Sequence, residues 1–171
     1  MKIAVVFDSK SGNTEMLAEA IKGEIAAEKL VYFGKPTEDV EADLYYVGSC
    51  TQRGMCTSKV ADFLKNLKNK KVAFFGTAGY GGSESYYKTL AKRSLEPLDD
   101  SNEFLGWFYC QGKMPMSVRD RYEKMMTAHP EDKKLYVSLE NFDEALSHPD
   151  EEDIKRVKAW VAELSADGDK E

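Results

Sequence analysis

Apolar positions along the chain keep two alternating rhythms. KIAVVF (2–7) is a near-continuous apolar run, as expected for a strand buried on both faces of a parallel sheet. From about Asn13 to Glu28, Leu17, Ala20, Ile21 and Ile25 return at helical spacing. LVYF (30–33) predicts a short strand, ended by a turn around Gly34 and Pro36, and DLYYVGS (43–49) predicts the next. Thr57 or Ser58 is placed to cap a helix with Val60, Phe63, Leu64 and Leu67 on one face. KKVAFFGT (70–77) is a fourth strand, broken by AGYGGS. Ser83 is a candidate cap for a helix bearing Tyr86, Tyr87, Leu90 and Ala91, and EFLGWFYCQ (103–111) is a fifth strand. Strands alternating with helices predict an α/β protein with a doubly wound, five-stranded parallel sheet.

After the fifth strand comes an addition, residues 113–149, expected as one helix and a loop. Ser117 with Asp120 resembles a capping box opening a helix with Val118, Tyr122, Met125 and Met126, the methionine pair reading as core. HPEDKK (129–134) ends it, and a loop-like stretch leads to a last helix. Pro149 and the acids Asp150, Glu151, Glu152 and Asp153 suit that helix's first turn, and Ile154, Val157, Val161 and Leu164 form its buried stripe. Residues 166–171 are expected to fray. The length of 171 residues suits one domain over 1–171.

Charge narrows the partners. A formal net charge of −6 and the lack of a basic stripe speak against nucleic acid. The acidity is local: residues 131–171 carry 6 Lys and Arg against 13 Asp and Glu, while residues 1–130 are nearly balanced, so the last quarter reads as a solvated acidic face. No apolar run approaches a membrane span and no leader pattern opens the chain, so the expectation is a cytoplasmic protein without membrane contact, a monomer or weak dimer. Three cysteines, Cys50, Cys56 and Cys110, are too few for a disulfide framework and agree with a reducing compartment.

The chemistry lies in the loops. In open parallel sheets ligands bind beyond the C-terminal strand ends, where strand order reverses. Three unusual loops leave such ends: SKSGNT (9–14), CTQRGMC (50–56) and TAGYGGS (77–83). The first opens a helix, so free amides and the positive end of the helix dipole would face a ligand. Ser9, Ser11 and Thr14 add hydroxyls, and Gly12 permits close backbone approach. With one Gly, and with Lys10 ahead of it, the loop does not spell a triphosphate site. It fits a single phosphate or, read alone, a polar turn with helix caps. TAGYGG lacks the register of a dinucleotide fingerprint and follows the fourth strand.

SKSGNT resembles the [TS]-x-[TS]-G-x-T loop with which flavodoxins hold the phosphate of flavin mononucleotide (FMN). The resemblance covers roughly residues 1–112 and the last helix. It implies the flavodoxin-like strand order 2-1-3-4-5 and places Ser9, Lys10, Ser11, Gly12, Asn13 and Thr14 at the phosphate. It puts Thr51, Gln52, Arg53 and Gly54, and Thr77, Ala78, Gly79, Tyr80, Gly81 and Gly82, beside the flavin ring. FFGTAG, YCQGK and HPDEED in the second half are similar to a group of flavodoxin-domain proteins of anaerobic bacteria, some accompanying reductases, including a bilirubin-reducing system.

Within that frame Tyr80, set among three glycines, is the candidate for stacking on the ring. Gly54 matches the glycine whose carbonyl, in the family, turns toward N5 of the reduced flavin. Arg53 is unusual, because familiar flavodoxins surround the flavin with negative charge. A cation there would make the reduced flavin less strongly reducing. Cys50 and Cys56 bracket this loop without C-x-x-C spacing and read as small apolar residues, as does Cys110. Lys113 lies past the fifth strand, near the crevice. His129 and His148 each precede a proline and lack a partner at metal spacing, so no metal is expected. Two functions fit: an electron carrier between a reductase and an acceptor protein, or an FMN-dependent reductase acting on a quinone or tetrapyrrole. No catalytic acid or base is singled out.

Overall fold

The computed structural model describes residues 1–168. Its five strands are β1 (Ile3–Asp8), β2 (Leu30–Gly34), β3 (Leu44–Cys50), β4 (Lys71–Ala78) and β5 (Glu103–Gln111). They form one sheet in the order β2-β1-β3-β4-β5, every pair parallel. Helices α1 (Asn13–Gly23) and α6 (Glu151–Gly168) cover one face, α2 (Ser58–Asn66) and α3 (Glu84–Leu95) the other. The expected five-stranded doubly wound sheet is therefore the observed one. Continuous apolar runs became strands because both faces are covered: β1 and residues 72–78 of β4 are wholly buried.

Alternation assigns residues to the two cores. Val5, Tyr46, Phe75 and Phe108 pack with Leu17, Ile21, Val157 and Val161. Val6, Val47, Phe74 and Tyr109 pack with Val60, Leu64 and Leu90. Tyr46 meets Trp160 edge-on at 5.9 Å, and burial pushes its hydroxyl up to about 12 against a hydrogen bond from Ser165, so α6 is fastened to the middle of the sheet. Gly48 is required by packing, since a Cβ there would lie 2.2 Å from the Phe75 ring.

Several boundaries differ from the sequence expectations. Helix α1 stops at Gly23, where the Glu24 amide bonds back to Ile21 and Lys22. Ile25 lies beyond the helix but still packs against the core. Residues 113–149 hold two helices rather than one helix and a loop: α4 (Met116–Ala128) and α5 (Lys133–Ala145). Asp132 caps α5, its carboxylate accepting from the Lys134 amide at 3.0 Å. Helix α4 starts at Met116 after Pro115, so Ser117 and Asp120 make no capping box. Its methionines are not core. No residue of α4 is fully buried and Met125 is 43% exposed, because α4 packs on α5 instead of the sheet. The tail expected to fray from residue 166 is helical through Gly168, and residues 169–171 lie outside the described residues.

The start of α6 is built as a reciprocal box. The Asp150 amide donates to Asp153 (2.9 Å) and the Asp153 amide to Asp150 (2.9 Å). His148 Nδ1 lies 2.6 Å from Asp153 Oδ2, and Arg156 donates to Oδ1 at 2.5 Å. Burial works to raise the Asp153 carboxyl, but these donors prevail and hold it below the usual carboxylate range.

Candidate functional site

The C-terminal ends of β1, β3 and β4 lie side by side, so their three loops share one edge of the sheet, as the spacing predicted. The β1 loop leads into α1 through Gly12, whose φ of +87° favours glycine. A Cβ at Gly12 would meet nothing within 4 Å, so space is open above the turn. The N-cap residue, Gly12, offers α1 no side-chain acceptor. The amides of its first turn therefore look outward for an acceptor, apart from Glu15, whose N–H reaches Ser9 Oγ at 3.3 Å.

Asn13 is buried under this loop. Its Nδ2 donates to Ser11 Oγ (3.0 Å) and to the Lys113 carbonyl (2.8 Å), while its Oδ1 has no hydrogen-bond partner. Thr14 is deeper still: its hydroxyl pairs with that of Thr77 at 2.9 Å, bridging the first and third loops. Ser9, Lys10 and Ser11 stand at the rim, the last two exposed. Free first-turn amides, open space at Gly12 and serine hydroxyls together make a donor-rich cradle for an anion, to which the unpartnered Asn13 Oδ1, an acceptor, does not contribute. These residues fit the phosphate end of FMN.

The β3 loop is a tight turn. Thr51 donates its amide (3.0 Å) and its hydroxyl (2.8 Å) to the Thr77 carbonyl, locking β3 to β4. Gln52 and Met55 exchange backbone bonds at 2.8 and 3.2 Å, which puts Arg53 (φ +52°) and Gly54 (φ +78°) at the tip. Glycine adopts that conformation freely, whereas a side chain there is uncommon. Arg93 Nη1 sits 2.9 Å from where a Cβ on Gly54 would be. So a second guanidinium, from the last turn of α3, covers the loop.

The β4 loop is held by the added helices. Gly79 O accepts from Gln111 Nε2 (3.2 Å) and Asn141 Nδ2 (3.0 Å), and Asn141 Oδ1 accepts from the Gly81 amide (2.9 Å). Tyr80, 42% exposed, pairs its hydroxyl with Ser138 Oγ at 2.9 Å. The Gly82 amide donates to the Tyr87 hydroxyl at 3.3 Å. A Cβ on Gly79 would fall 2.5 Å from Met114 Sδ, and Ala78 beneath it is buried. Sequence reasoning missed Ser138 and Asn141 because their helix was read as a loop. Arg93 was missed because a basic residue in a last helical turn needs no ligand to explain it.

The remaining candidates are inert or structural. All three cysteines are free; Cys56 and Cys110 are buried and Cys50 half-buried. Burial pushes the Cys50 thiol up despite the neighbouring Lys10 amide, and pushes Cys56 up beside Ser94, so neither thiol is activated as a thiolate. Lys113 is exposed, but its backbone spans the site, donating N–H to the His148 carbonyl at 2.9 Å and accepting from Asn13. His148 does acquire acidic neighbours that its spacing did not suggest: it gathers with Asp150 and Asp153 within 4.8 Å. Both Asp153 oxygens are already engaged, so the group reads as a clamp on α6.

Residues 4–162 match the family model of the flavodoxin domain. The chain belongs to the flavodoxin family. FMN is the cofactor that goes with that membership. Two proteins named flavodoxin-like domain-containing protein BilS are each 34% identical to this flavodoxin. The one from Clostridium symbiosum (strain WAL-14163) aligns over 94% of both chains, and the one from Clostridioides difficile (strain CD3) over 96% of both. Among solved structures, oxidised flavodoxin 2 from Bacillus cereus superposes with a TM-score of 0.57 at 20% identity, over 98% of this chain and 99% of its own. The flavodoxin of Streptococcus pneumonia TIGR4 gives 0.56 at 18%, over 98% and 99%. At such identities these two attest the fold alone. No helix among the described residues is long and apolar enough to cross a membrane.

Proposed function

We propose that this flavodoxin is an electron carrier that holds FMN across the ends of β1, β3 and β4 and links a reductase to an acceptor protein. The free first-turn amides of α1 under open space at Gly12 carry the reading. When bound, FMN supplies the electron-accepting ring. The amides of Asn13 and Thr14, with the hydroxyls of Ser9 and Ser11, bind the phosphate, and Lys10 adds positive charge at the rim. Thr14 braces the loop from below, since a hydroxyl engaged with Thr77 still has hydrogen-bonding capacity. Thr51, Gln52, Arg53 and Gly54 flank one side of the ring, and residues Thr77 through Gly82 flank the other. Gly54 keeps the freedom to turn its peptide toward the ring. Tyr80 reaches the ring by leaving Ser138, or edges it from its present position.

One observation favours a second reading, a reductase or reductase subunit acting on a quinone or tetrapyrrole. Helix α5 fastens the β4 loop through Asn141 and Ser138, so the added hairpin forms a wall beside the crevice. The two relatives named BilS share this length of chain. Purification and an FMN titration test both readings: a bright yellow protein, or one that quenches FMN fluorescence on binding, is expected. A protein that takes up no FMN removes both. Turnover of NAD(P)H with a small organic acceptor, without another protein, favours the reductase; electron delivery only through a second protein favours the carrier.

A further inference from the structure

We infer that the surface around Tyr80 and Gly54 is a docking face for a partner protein that presents a patch of negative charge. The inference rests on the carrier reading and reverses the sign expected for an acidic-rimmed flavodoxin. Aromatic and cationic side chains share this surface. Arg93 lies over Gly54; Tyr86, two turns earlier on α3, sits 2.5 Å from where a Cβ on Gly82 would be; Tyr80 of the same loop pairs with Ser138; and Arg121 lies 5.9 Å from the Tyr122 ring. On the far side, Tyr80 lines a cavity of about 370 Å³ with Lys133, Lys134 and Val137.

Two placements here run against local physics. Lys133 and Lys134 occupy the first turn of α5, where the helix dipole disfavours cations. Arg53 carries its charge at φ +52°, where a non-glycine residue is strained. Neither placement helps folding, which points to a use for the charge itself. Several acids close by have partners: Glu123 and Asp143 lie on Arg119, Glu131 lies 3.7 Å from His129, and Asp132 accepts from the Lys134 amide. Among the described residues no carboxylate pairs with Arg53, Arg93, Arg121, Lys133 or Lys134, although Glu84, Asp120, Glu140 and Glu144 are exposed acids on the same three helices. These cations spread over three helices and the β3 loop instead of converging on one point. That arrangement suits an extended acidic surface better than a small anion, and exposed aromatics among the charges suit a protein partner.

The test uses cytochrome c in two forms, native (basic) and succinylated (acidic), which share one haem. At low ionic strength the FMN-loaded, reduced protein should reduce the succinylated form faster, and added salt should slow that reaction. The double variant Lys133→Glu/Lys134→Glu should lose about tenfold of the preference while binding FMN as the parent does. A faster reaction with native cytochrome c, or a preference unmoved in the variant, overturns the proposal. Salt-sensitive binding of succinylated cytochrome c to the protein without FMN gives a second readout. If the protein holds no FMN, this binding and its loss in the variant still decide the surface, while the carrier reading alone falls.

Discussion

The sheet and the α4–α5 hairpin reach order by different means. Each strand of the sheet's centre is buried on both faces, and its helices contribute fully buried stripes. The hairpin buries Leu135, Phe142 and Ala145 of α5 and no residue of α4, and it leaves Tyr136, Val137, Leu146 and Met125 exposed. Its attachment to the site is polar: Asn141 on Gly79 and Gly81, Ser138 on Tyr80. Apolar burial thus fixes the fold, while a few hydrogen bonds from a loosely packed addition shape one wall of the crevice. Stability and cofactor affinity should therefore respond to different residues.

The sharpest break is expected in the sheet. Phe75→Ala empties a fully buried ring site facing Gly48 and should cost about 3–5 kcal/mol in urea unfolding. A cost like that of a surface substitution would deny the sheet its primary role. Asp153→Asn lies at the junction of the two regions and should cost about 1–3 kcal/mol at neutral pH. The folded carboxyl titrates below its unfolded value of about 3.9, so its contribution is full above that pH and is lost as pH falls through the depressed folded value. The gap between parent and variant should accordingly narrow in acid, and a gap that widens there would refute the clamp.

In the hairpin the order of effects reverses. Asn141→Ala should weaken FMN binding by about tenfold in a fluorescence titration, near 1.4 kcal/mol, while unfolding moves by less. Equal losses in both measurements would erase the distinction between the regions. Ser138→Ala releases only the exposed Tyr80 hydroxyl and should change stability by about 0.5 kcal/mol or less. Tighter FMN binding in that variant would indicate that Tyr80 leaves Ser138 to stack on the ring.

Much of this architecture was legible before any coordinates. Runs such as IAVVF and VAFFG say strand because a strand buried twice has no polar face to show. The β1 loop, read alone, left a single phosphate and a capped polar turn both open. Helix α5 was illegible because Tyr136, Val137 and Leu146 lie outside its buried stripe and blur the helical period. The false capping box at Ser117 shows the limit of local pattern: the N-cap is Pro115, two residues earlier, with no side-chain cap.

What the sequence determined by itself is the alternation of buried strands and amphipathic helices, and with it the parallel sheet and the three loops at its edge. Hydrophobic period and turn chemistry are local, so they can be read along the chain. Tertiary structure alone decided that Thr14 pairs with Thr77, that Arg93 covers Gly54, and that Asn141 and Ser138 hold the β4 loop from 60 and 58 residues away. Such contacts carry no spacing rule, because they depend on where whole elements pack before any side chain can reach across.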